Sequence, residues 1–113
     1  MIFIILLFFA LVVLLGAILL TYVIQKRKPP RWLVMIHGPF AFLSILLLII
    51  QSFRVPDGED YIWTIIVFCV TAAGGLYLIY QDFTKPVISR KIAIMHGIFA
   101  ISAFLLLILN AFN

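Results

Sequence analysis

His37-Gly38-Pro39-Phe40-Ala41 returns 59 residues later as His96-Gly97-Ile98-Phe99-Ala100. At that offset, 9 of the 17 pairs from His37 to Phe53 are identical. The chain therefore reads as a duplicated half, with repeat 1 at about 1–54 and repeat 2 at about 60–113. His37 and His96 are its two histidines, and each interrupts a run of apolar residues. A polar group in such a run marks a site, because an ionisable side chain inside a bilayer is expensive unless it is partnered or used.

The surrounding composition defines the class. Of 113 residues, 66% are hydrophobic and 11% charged, far from the balance of a soluble globular domain. A hydrocarbon core about 30 Å thick takes roughly 20 apolar residues in a helix, and charged positions divide the sequence into four such runs: 2–25, 32–53, 61–81 and 92–112. The expected fold is an all-α membrane protein, a single transmembrane domain of four helices over 1–113. The first run lacks a basic leading region and a small-residue cleavage site, and it is too long for a signal peptide.

The net charge of +4 points to orientation rather than to nucleic acid. Lys26, Arg27, Lys28 and Arg31 lie between spans one and two, and Lys85, Arg90 and Lys91 between spans three and four. The remaining loop holds Arg54 with Asp57, Glu59 and Asp60. The positive-inside rule puts the cation-rich end in the cytoplasm and both termini outside a cell inner (plasma) membrane. Cys69, the single cysteine, is expected to be a small buried residue without dithiol chemistry.

Spans one and three run in the same direction, as do two and four, so the halves are parallel repeats about an axis along the membrane normal. Short connections favour an up-down-up-down bundle, with spans two and four on one diagonal. Pro39 leaves the carbonyl of Met35 without its helical donor, and a kink is expected beside His37. The second copy has Ile98 there. Gly16 and Gly75 are repeat-mates, and small residues mark helix contacts in membranes.

Helical neighbours at i+4, i+7 and beyond place His37 with Ala41, Ser44, Leu48 and Gln51, and His96 with Ala100, Ala103, Leu107 and Asn110. Both faces are expected to turn inward, with the imidazoles facing each other across the axis. Counting along the antiparallel helices from the loops brings Gly16 and Gly75 to the same layer. Neutral imidazole is a usual axial ligand of haem iron. A haem held by His37 and His96 would direct its edges to spans one and three, where the glycines leave room. Arg31 and Arg90, each six residues and so about 9 Å from its histidine along the helix, would meet the propionates.

Geometry sets a cost on this arrangement. Adjacent axes about 8–10 Å apart leave roughly 7–10 Å between the Cα atoms of diagonal helices of radius about 2.3 Å. A bis-imidazole haem needs more, so the bundle must splay at this layer, with Pro39 as a cause.

Through His37, His96 and the glycines at their level, the chain resembles in architecture the small four-helix b-type membrane cytochromes. That resemblance implies haem b and electron exchange with a quinone or a redox partner protein. Those proteins often carry two histidine pairs; this chain has one. Two other readings stand beside it. The histidines can serve packing or assembly alone, hydrogen-bonding across helices for about 0.6–2 kcal/mol, or the interior can take a lipid-soluble molecule such as quinone. Met35 and Met95 near the histidines suit copper but are not repeat-mates. Self-association into a homo-oligomer is open. The first span has no acid for a proton-coupled small multidrug transporter, and Asp82, near the cytoplasmic end of span three, is expected to be wet. No hydrolase, P-loop or dinucleotide pattern is present, and the sequence leaves open whether the protein is an enzyme.

Overall fold

In the computed structural model, residues 1–112 are described, and they form four long helices. These are α1 (Ile2–Ile24), α2 (Arg31–Arg54), α3 (Ile62–Thr84) and α4 (Arg90–Ala111), with a 3₁₀ turn at Gly58–Tyr61 leading into α3. All four are long and apolar enough to cross a membrane. The molecule measures 47 × 23 × 19 Å, a single bundle longer than the roughly 30 Å of a hydrocarbon core. α1 packs on α2 and α4, and α3 packs on α4 and α2; no Cα pair across either diagonal, α1 with α3 or α2 with α4, lies within 8 Å. This is the up-down-up-down arrangement.

The helices end where local chemistry stops them. After α1, Lys26 takes φ 60°, Lys26 N–H donates to the Val23 carbonyl at 3.0 Å and Arg27 N–H to that of Tyr22 at 2.8 Å. That is a Schellman closure with lysine where glycine is usual. α2 begins on Pro30 and continues through Pro39. At α4, the Ser89 hydroxyl accepts from Ile92 N–H. Within the spans, Ser44 donates to the Phe40 carbonyl and Thr71 to that of Val67, both at 2.8 Å, so hydroxyls are satisfied inside their own helices as a lipid surround requires.

The duplication governs the packing. Ile5 and Thr64, Phe9 and Phe68, Val12 and Thr71, Ser44 and Ala103, Leu48 and Leu107 are repeat-mates at the 59-residue offset, and all are buried. The Phe9 and Phe68 rings stack with centroids 4.1 Å apart, joining the two halves on the axis. A Cβ on Gly38 would meet Ile79 at 3.8 Å, and one on Gly97 would meet Leu20, the mate of Ile79, at the same distance. The two inter-repeat seams thus repeat the same small-on-large contact.

Two expectations need correction. Cys69 is exposed on the outside of the bundle, because its position on α3 falls beside Phe68 rather than on the interior stripe of Thr64, Phe68 and Thr71. Asp82 is buried, with only 6% of its side chain exposed. Lys28 Nζ lies 3.3 Å from its Oδ1 and Arg31 Nε 3.7 Å from its Oδ2, and Lys28 also donates to the Asp82 carbonyl. The acid ties the loop between α1 and α2 to the end of α3. A buried carboxylate persists when it is paired in this way.

Candidate functional site at the histidine pair

His37 on α2 and His96 on α4 face each other across the bundle, ring centroids 6.5 Å apart and planes at 80°. They share their layer with the two glycines. A Cβ on Gly16 would lie 3.0 Å from Cε1 of His37, and one on Gly75 would lie 3.1 Å from Cε1 of His96. Each imidazole therefore rests on the backbone of the helix next to it, α1 for His37 and α3 for His96. The room left by the glycines is filled first by the imidazoles themselves, and the expectation of open space there for the edges of a haem is corrected to that extent.

The ring nitrogens differ in their partners. His96 Nδ1 lies 2.9 Å from the Thr71 carbonyl; a carbonyl only accepts, so Nδ1 carries the proton and Nε2 keeps a free lone pair. Thr71 is four residues before Gly75, so one turn of α3 supplies both the carbonyl and the notch. In the first repeat the corresponding carbonyl, that of Val12, faces the His37 ring but outside hydrogen-bond geometry, and His37 Nδ1 is buried without a partner. The carbonyl anchor was not legible as a role in the sequence, although Val12 and Thr71 stand at the same place in each repeat.

The ring separation limits what the pair can do. Ring atoms lie about 1.15 Å from the centroid of a five-membered ring with bonds near 1.35 Å, so no nitrogen of one ring comes nearer than about 4.2 Å to a nitrogen of the other, against about 2.7–3.2 Å for a hydrogen bond. The histidines do not bond each other. A metal bound linearly between two imidazole nitrogens at about 2.0–2.1 Å each requires centroids about 6.3–6.5 Å apart, and the rings stand at 6.5 Å.

The remaining sequence candidates divide. Arg31 is committed to Asp82 and has its guanidinium carbon 4.2 Å from the Phe83 ring centroid. Arg90 is exposed at the start of α4 and has no ion pair among the described residues. The inward faces are as expected: Ser44, Leu48, Ala103 and Leu107 are buried. No group of three or more His, Cys, Asp or Glu side chains is placed to hold a metal among the described residues, so a metal here would depend on the histidine pair. About two turns from the glycines along α1 and α3, the Phe9 and Phe68 rings stack on each other.

Compared with known proteins, the chain matches no family model, no curated protein and no solved structure. The functional reading rests on the geometry alone.

Proposed function

We propose that this protein is a b-type electron-transfer protein of the membrane, holding one haem between His37 and His96. The observation that carries this reading is the 6.5 Å separation of the imidazole centroids, which suits a linear nitrogen–metal–nitrogen unit and is too wide for a hydrogen bond. The His96 arrangement supports it. A ligating histidine commonly donates its other ring N–H to a carbonyl, as Nδ1 does to Thr71. The haem, when bound, would supply a one-electron couple; His37 and His96 would hold it in an apolar surround, and a quinone or a protein would be its redox partner. Arg90 is free to meet a propionate, whereas Arg31 would first have to leave Asp82.

Protein produced with adequate haem should show a Soret band and sharp reduced-state α and β bands of a low-spin bis-histidine centre. His37→Ala or His96→Ala should abolish that low-spin spectrum. A colourless protein that does not take up haemin would remove the haem reading. It would leave the second one, which the van der Waals seating of each imidazole on its glycine favours: a cofactor-free bundle in which the histidines are packing elements.

The reading includes a plasma membrane location with both termini outside, from the cations of the two loops at one end of the bundle. In a Cys69→Ala background, Lys26→Cys and Lys85→Cys should react with a membrane-impermeant thiol reagent only after permeabilisation. Glu59→Cys should react in intact cells. The opposite pattern would reverse the orientation.

A further inference from the structure

At the end of the bundle that carries the α1–α2 and α3–α4 connections, seven cations stand against one acid. The acid, Asp82, is taken by Lys28 and Arg31, and Lys26, Arg27, Lys85, Arg90 and Lys91 have no ion pair among the described residues. Two of these free cations line a shallow crease between the connections. One wall is Lys26, Arg27 and Lys28, the other Pro86, Val87 and Ile88, and Ile88 shares a buried apolar cluster with Val23. The walls are related by the duplication: at the 59-residue offset Arg27 answers to Pro86 and Lys28 to Val87. The copies differ so that one wall is cationic and the other apolar, and Val87 keeps 51% of its surface exposed, apolar area that nothing in the chain covers. Two details set the cationic wall apart from ordinary loop charges. Lys26 holds φ 60°, which costs a residue with a β-carbon about 1–2 kcal/mol and which glycine adopts freely; closing α1 needs no side chain there, so the lysine adds only an exposed charge. Arg27 Nη1 donates to Gln25 Oε1 at 3.2 Å, and its guanidinium carbon lies 5.0 Å from the Tyr22 ring centroid. Both partners are uncharged, so they orient the guanidinium without neutralising it.

We infer that this crease binds the headgroup of an anionic phospholipid from the leaflet that meets the basic end of the bundle, with the phosphate on Lys26 and Arg27 and the glycerol and first acyl carbons on Pro86 and Val87. The headgroup lies across the crease rather than in a cavity. Arg27 presents a planar fork that matches two phosphate oxygens, and Lys26 adds a point charge. The occupant is amphipathic because the walls are. It also reaches the hydrocarbon, because Val23, which lines the crease as well, is the last residue but one of the membrane-crossing helix α1. A free phosphate satisfies the cationic wall alone. A zwitterionic phospholipid meets both walls, but its own ammonium offsets the charge that Lys26 and Arg27 are placed to neutralise. The site is separate from the histidine layer and does not rest on the haem reading.

The experiment equilibrates the full-length protein in mixed micelles holding equal amounts of phosphatidylglycerol and phosphatidylcholine and counts the lipid that stays bound by native mass spectrometry. Phosphatidylglycerol should be retained selectively. Lys26→Gly and Arg27→Gln should each lower that preference about fivefold, the equivalent of about 1 kcal/mol per cation near a membrane surface. Lys26→Gly should at the same time raise the melting temperature, since glycine relieves the backbone at that position; binding lost while stability rises separates a lipid contact from a structural role. Lys91→Gln removes the same charge from the first turn of α4, outside the crease, and should leave the preference unchanged. Equal retention of the two lipids by the unaltered protein overturns the inference. An equal loss in Lys91→Gln and Lys26→Gly overturns it too, because the basic end would then act only through its total charge. Displacement of bound phosphatidylglycerol by an equal concentration of glycerol 3-phosphate would assign the cations to a soluble phosphate and overturn the lipid as occupant.

Discussion

Gly16→Leu and Gly75→Leu should each lower stability in detergent by about 3 kcal/mol, at the upper end of the usual cost of overpacking. The reason is contact distance. Already at the first carbon of a side chain, the imidazole edge is 3.0 Å away at Gly16 and 3.1 Å away at Gly75, and three more carbons would have to enter space that the ring fills. Alanine should be far milder, because the ring needs to shift by only a few tenths of an ångström and because leaving glycine gains up to about 1 kcal/mol of helix propensity. Between the two, Gly75→Ala should cost more than Gly16→Ala. His96 gives way only by straining its bond to Thr71, and His37 has no such bond to lose. Thermal unfolding of the four variants, with Ile4→Leu as an exposed control, measures the series. Leucine variants as stable as the control would show that the glycines do not seat the histidines.

An equally large loss, about 3 kcal/mol or more, is expected from Gly58→Ala in the connection between α2 and α3. An ideal Cβ there would stand 1.5 Å from the carbonyl oxygen of Ser52 and 2.5 Å from its carbon. No rotamer relieves that overlap, since both partners are backbone, and the end of α2 would have to separate from the 3₁₀ turn. Gly58 N–H also donates to the Val55 carbonyl at 3.2 Å, and a shift would break that closure. Gly97→Ala is the control, because its Cβ would make an ordinary contact of 3.8 Å with Leu20. Similar melting temperatures for the two alanine variants would contradict the packing of this turn.

Much of this architecture was legible in the sequence because it follows from solvation and from copying. Four apolar runs separated by charges become four helices, since lipid offers the backbone no hydrogen-bond partners. The expected runs 2–25, 32–53, 61–81 and 92–112 differ from the helices by three residues at most. The repeat marked the histidine–glycine layer and the inward faces, because helical periodicity and a two-fold relation assign partners without coordinates. What the chain order could not reveal depends on distances between helices. The 6.5 Å gap between the imidazoles, the Thr71 carbonyl on His96 and the burial of Asp82 between Lys28 and Arg31 arise from how far α1 and α3 stand from their neighbours. Asp82 was expected in water because an acid at the end of an apolar span usually is; the proline-rich first loop instead folds its cations over it. The difference between the histidines is of the same kind. Pro39 could be read directly, but that one histidine holds a carbonyl while its mate has an unpartnered nitrogen depends on offsets far below the resolution of any repeat, and only the folded chain decides it.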